Sequence, residues 1–127
     1  MSYYKNLHIW IKAMELVNLI YEVTKSFPKD EVFGLTNQIK RAAVSVPSNI
    51  AEGAGRNSNQ QFIQFLSISN GLLLELETQL LIAKNQNYIS DEDLNKCIKL
   101  IENIQKMNFK FQSKLKETNF ELRISSF

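Results

Sequence analysis

The stretch AAVSVPSNIAEGAGR, residues 42–56, carries small apolar residues at helical spacing on both sides of Pro47. A proline inside a helix removes one backbone hydrogen bond and crowds the carbonyl four residues earlier, at a cost of ~3 kcal/mol. Two readings compete. Pro47 either opens a new helix, where a first-turn proline is well tolerated, or it sits inside one helix and bends it. Spacing favours the second, because Leu35, Ile39, Ala42, Val46 and Ile50 hold one stripe across the proline with no jump in register. The carbonyl orphaned by such a kink belongs to Ala43 and calls for water or a neighbouring hydroxyl. This helix is expected over about residues 30–54, ending at Gly53 and Gly55, where glycine can take the left-handed conformation common at helix ends.

The flanking sequence has the same period. Leu7, Trp10, Met14, Val17 and Tyr21 form one apolar seam, and Ile9, Ala13, Leu16, Ile20, Val23 and Phe27 form a second beside it. Together they cover about half of a helix over 4–26, more than the ~100° stripe a surface helix requires. Pro28 breaks that helix, and Asp30–Glu31 suit the N-terminus of the next. Asn57 or Ser58 is an N-cap for a helix over 58–86, with Phe62, Phe65, Leu66, Ser69, Leu72, Leu73, Leu76, Leu80 and Ala83 inward. After the loop KNQNYIS, Ser90 and the acids 91–93 start a helix over 91–116, with Leu94, Cys97, Ile98, Ile101, Ile104, Phe111 and Leu115 inward. Short loops between four helices predict an all-α, antiparallel up-down-up-down four-helix bundle with a proline-kinked second helix, spanning 1–118, and a tail at 119–127.

Bulk properties agree. A length of 127 residues suits a single domain, and four glycines with two prolines disfavour a many-stranded fold. Cys97 is the sole cysteine, which excludes an intrachain disulfide and points to a reducing, cytoplasmic setting. The start MSYYKNLHIW lacks a basic-then-apolar signal pattern. LLLELETQLLIA is interrupted by Glu75 and Glu77, so no membrane partner is expected. Charge is uneven: residues 1–93 hold 8 Lys/Arg against 10 Asp/Glu, whereas residues 94–127 hold 7 against 3.

Two surfaces are candidate sites. On the second helix, Gln38, Arg41, Ser45, Ser48, Asn49, Glu52 and Arg56 fall within about 100° of one another. Such a line is either a solvated outer face or a subunit interface or ligand-facing strip; its mostly short side chains permit close approach by another chain. On the fourth helix, Lys96, Lys99, Lys106, Lys110 and Lys114 fall within about 80°, with Asn103 among them and Glu102 near the edge. Lysines so spaced neutralise phosphates, giving salt-sensitive, sequence-independent binding to RNA or DNA. The competing reading is an ordinary solvated face, lysine-rich because cations suit a helix C-terminus. A pI of about 8.7 lies below the usual nucleic-acid footprint of pI above ~9.

Catalysis is not expected. His8 is the only histidine, so the paired Glu-x-x-His set of a di-iron bundle is missing. Glu75 and Glu77 lie roughly 200° apart on a helix and form no carboxylate pair. Cys97 lies on a core stripe, and Gly53-x-Gly55 lacks the strand and lysine of a phosphate-binding loop. Trp10, Phe62 and Phe65 sit at core spacing, which favours packing over the alternative of stacking on bases. No cofactor and no metal is expected.

YYKNLHIWIKAMELV, FGLTNQIKRAAVSVPSNIAEGAGR and LLLELETQLLIA resemble the four-helix-bundle proteins encoded by intervening sequences in bacterial 23S rRNA genes. Accessory variability proteins of diversity-generating retroelements are related bundles. The resemblance covers roughly 3–115 and is most specific at SNIAEGAGR. It implies a kinked second helix, a ring-like homopentamer, association with RNA or DNA, and no established catalytic residues. A reverse transcriptase is a further partner implied by the retroelement relatives. The family's signature strip maps to Arg41, Pro47, Asn49, Glu52, Gly53, Gly55, Arg56 and Ser58. Lys40 stands where many members carry arginine, keeping the charge but losing the bidentate fork. A ring would repeat the lysine stripe and strengthen weak single-subunit binding through multivalency. The alternative function is a protein–protein interaction scaffold with no direct nucleic-acid binding.

Overall fold

A computed structural model describes residues 3–117. The tail expected at 119–127 lies outside the described residues. Among the described residues the chain is all-helical, with four long helices in a bundle: α1 (His8–Val23), α2 (Leu35–Ala54), α3 (Asn59–Asn85) and α4 (Asp91–Glu117). Short 3-10 turns precede α1 and bridge α1 to α2. Each helix packs on its neighbour in sequence, and α1 closes against α4. The buried stripes meet in one interior that includes Leu16, Ile20, Ile39, Ile50, Phe62, Leu73, Leu80 and Ile101.

Pro47 is buried inside α2, which runs through it unbroken, so the proline does not start a new helix. The turn before it is braced by side chains: Ser48 Oγ donates to the carbonyl of Val44 at 2.9 Å, and Asn49 Nδ2 donates to that of Ser45 at 2.8 Å. Ser69 Oγ, from α3, donates to the carbonyl of Val46 at 3.2 Å. A neighbouring hydroxyl therefore serves this turn, but at Val46 rather than at the Ala43 carbonyl where it was expected. A proline ring lacks the amide that would serve the carbonyl four residues earlier, and Ser or Asn side chains inside a helix commonly bond a carbonyl one turn back.

Several ends differ from expectation. The second helix begins at Leu35, not near residue 30. Glu31 instead reaches forward from a 3-10 turn, its Oε1 accepting from the Leu35 amide at 3.0 Å. Its Oε2 accepts from Tyr88 Oη at 3.0 Å, and that hydrogen bond to a carboxylate raises the pKa of the phenol. No glycine has positive φ, and Gly55 caps α2 in right-handed geometry, so the left-handed ending was wrong. Gly53 answers to packing: a Cβ there would lie 2.6 Å from Phe65 Cβ and 2.9 Å from Phe62 Cδ1. The missing side chain lets α2 approach the first turns of α3. Among the described residues the left-handed one is Asn87, with φ 63°, closing α3 through Tyr88 N to Ala83 O and Asn87 N to Lys84 O. Ser58 and Ser90 cap α3 and α4, each hydroxyl accepting an amide at 3.1 Å.

The double seam of α1 divides. Ile9, Ala13, Leu16, Ile20 and Val23 are buried, while Met14 and Tyr21 are exposed and Trp10 and Val17 only half-buried. Other core assignments also shift: Leu35, Phe65, Leu72 and Ile98 are half-buried, and Asn108 takes a fully buried place on α4. Asn108 Nδ2 donates to the Leu66 carbonyl at 2.9 Å, and its Oδ1 accepts from Gln112 Nε2 at 2.6 Å. By length and composition α3 could cross a membrane, with mean hydropathy 1.2 over its most apolar window. In the bundle it instead buries Phe62, Leu66, Ser69, Leu73, Leu76, Leu80 and Ala83.

Candidate nucleic-acid interface

The periodicity that buries Cys97, Ile101, Ile104, Asn108 and Leu115 sends the residues between them outward. Lys96, Lys99, Lys106, Lys110 and Lys114 are all exposed on the side of α4 away from the core. Lys96 lies 3.5 Å from Glu92, one turn earlier, a solvated pair worth roughly 0.3–0.5 kcal/mol. Among the described residues Lys99, Lys106 and Lys110 have no ion-pair partner. An open groove follows the stripe, lined by Lys96, Lys99, Leu100 and Asn103 in its first half. A second groove is lined by Glu102, Gln105, Lys106, Phe109 and Lys110. Phe109 was not singled out from the sequence, yet it is 74% exposed beside these lysines. Its signal was present in the period, since position 109 falls off the core stripe that 108, 111 and 115 share.

The polar line on α2 separates into two parts. Toward the helix start, Gln38, Arg41 and Ser45 line a groove with Leu72, Glu75 and Gln79 of α3. Arg41 has no ion-pair partner among the described residues, and the buried Gln79 Oε1 has no hydrogen-bond donor there. Beyond Pro47 the line turns on its own framework. Ser48 and Asn49 serve backbone carbonyls, and Glu52 pairs with Arg56 at 3.7 Å. The Arg56 guanidinium lies over the Phe65 ring at 4.8 Å. This half of the SNIAEGAGR segment thus holds the α2–α3 junction together, with Gly53 giving way to the rings and Ser58 starting α3. Gly55 ends α2 with no crowding of its Cβ position by side chains. Lys40, beside the line, sits over the Tyr21 ring at 4.8 Å.

Other chemistry-bearing groups stand apart from these surfaces. Cys97 is fully buried, and loss of solvation, with Asp93 adding to it, pushes its thiol up to about 11. Such a thiol carries almost no thiolate near neutral pH and is a poor nucleophile. Among the described residues no group of three or more His, Cys, Asp or Glu side chains gathers in a metal-binding arrangement.

No curated protein matches the sequence. The 23S rRNA-intervening sequence protein family matches residues 5–110, a span that takes in all of α1 to α3, the Pro47 segment and most of the lysine face, and the chain belongs to that family.

Proposed function

We propose that this protein is a non-catalytic, homo-oligomeric 23S rRNA-intervening-sequence-type protein that associates with RNA or DNA through the α4 lysine face. One observation carries the reading: five exposed lysines share the face of α4 opposite its buried stripe, and three have no acidic partner among the described residues. A cluster of unneutralised cations binds a polyanion by releasing its condensed counterions, without reading base sequence.

Assembly completes the proposal. The outer seam of α1, with Met14 and Tyr21 exposed and Trp10 and Val17 half-buried, and the groove holding Arg41 and the undonated Gln79 oxygen, leave apolar and polar surface for a second subunit. Family membership favours a pentameric ring, in which the lysine face recurs and weak contacts multiply. The bonds from Tyr3 to Ala54, Asn108 to Leu66 and Asn59 to Leu115 support up-down-up-down order, since each matches an early position with a late one. The braced turn before Pro47 supports a kinked second helix. A cytoplasmic site of action, without membrane association, fits an rRNA-linked role. The same α1 seam favours a second reading, a scaffold whose partner is a protein such as a reverse transcriptase.

Fluorescence anisotropy with unstructured RNA and DNA tests the primary reading. Binding at low salt is expected, with loss on combined Lys99→Glu, Lys106→Glu and Lys110→Glu substitution. Binding unchanged by that variant, or none at low salt, contradicts it. Light scattering should give a mass near five subunits; a monomer at micromolar concentration refutes the ring. Recovery of a protein partner that survives nuclease treatment, with no nucleic-acid binding, favours the scaffold.

A further inference from the structure

We infer that Phe109 is a stacking platform for an unpaired nucleobase, so that the α4 face selects single-stranded over duplex nucleic acid. The inference rests on the proposed lysine face and assigns that surface its ligand form. Phe109 projects from the last third of α4 with 74% of its surface exposed, although core positions lie directly before it and two residues after it. An exposed aromatic ring on a rigid helix offers a π-face at low conformational cost, and every base has one to match.

The surroundings of the ring differ on its two sides. One side is the groove shared with Lys106 and Lys110, about 470 Å³ and open along its length. That is within the ~300–1,000 Å³ range of small-ligand sites, but its openness suits a polymer that continues past the site. The other side is a groove running toward α3, lined by Asn70, Gln105, Gln112, Ser113 and Lys116. Gln112 is held there by Asn108 and by Ser67, whose Oγ donates to its Oε1 at 3.5 Å. Asn70 and Gln105 make no side-chain hydrogen bond among the described residues, so their amides are available to a base edge. Phosphates lie along the lysines, one base covers the ring, and its edge turns toward the amides. A duplex keeps its bases stacked inside and presents no π-face, so it gains only the lysine contacts.

The experiment compares single-stranded and duplex RNA of equal length by anisotropy, for wild type, Phe109→Ala and Phe109→Trp. Phe109→Ala is expected to weaken single-strand binding roughly 5- to 150-fold, the range for losing one stacked base, while duplex affinity stays within about twofold. Phe109→Trp should keep single-strand affinity and show nucleic-acid-dependent quenching beyond that of wild type, whose only tryptophan is Trp10. An unchanged single-strand affinity in Phe109→Ala, or equal loss on both ligands, overturns the stacking site while leaving the lysine reading intact. Absence of binding by the wild type overturns both. A change in oligomeric mass in Phe109→Ala by light scattering assigns the ring to a subunit contact and also overturns the inference.

Discussion

Adding one methyl group to Gly53 and, separately, to Gly71 should change stability in opposite directions. Both glycines lie inside helices, so alanine gains about 1 kcal/mol of helix propensity at either. At Gly71 a Cβ meets nothing within 4 Å, and Gly71→Ala should stabilise the fold by about 0.5–1 kcal/mol. At Gly53 the same atom arrives 2.6 Å from Phe65 Cβ, which is fixed by its own backbone, and 2.9 Å from the ring of Phe62, which is fully buried. Neither can rotate away, so the overpacking cost belongs in the upper part of the ~1–3 kcal/mol range. Net destabilisation of about 1–2 kcal/mol remains. The two variants should differ by about 1.5–3 kcal/mol, or roughly 6–12 °C in Tm at ~4 °C per kcal/mol. Circular dichroism during thermal and urea unfolding measures this, at one protein concentration, since the proposed self-association would make Tm depend on it. Equal stabilisation by both substitutions would refute the claim that Gly53 exists to let α2 and α3 meet.

Asn108→Ala should cost about 1–3 kcal/mol, since it opens a buried space and removes both the donor to Leu66 and the acceptor of Gln112; urea unfolding measures it, and a neutral result would show that the buried amide contributes nothing. Cys97 should resist iodoacetamide in the native protein and react on unfolding, as followed by mass spectrometry. The same shift predicts a pH effect. The folded thiol titrates at about 11 against an ordinary value of 9.0, so above pH 9 the unfolded chain releases a proton that the folded one keeps. Stability contributed by the neutral thiol is complete below that pH and falls by on the order of 1 kcal/mol per unit toward pH 11. Comparing wild type with Cys97→Ala over pH 8–11 isolates this slope; parallel curves would contradict it.

Much of the bundle was legible because burial repeats with the helical turn. The stripe through Leu35, Ile39, Ala42, Val46 and Ile50 carried α2 across Pro47, and Ser58 and Ser90 marked helix starts by their local chemistry. What the sequence concealed depends on contacts between helices. Gly53 looks like a helix terminator until Phe62 and Phe65 are placed against it. Asn108 reads as a polar break in a core stripe until the Leu66 carbonyl lies opposite. Met14 and Tyr21 follow a helical period as regular as that of their buried neighbours, and only the position of α2 and α4 decides which seam of α1 is covered. The lysine face was legible as a pattern. The polar strip was not, because Ser48 and Asn49 serve their own helix whereas Arg41 and Gln38 face an open groove, a division that spacing alone does not encode.

The salt dependence of RNA affinity tests the central claim most directly. Lys99, Lys106 and Lys110 facing phosphate in each engaged subunit predict a slope of log K on log salt near −2 per subunit for a single strand, at ~0.7 per phosphate neutralised. Each Lys→Gln substitution in that trio should flatten the slope by ~0.7 per engaged subunit. A slope near zero, or one unmoved when all three lysines are replaced, would mean that the α4 face does not hold nucleic acid.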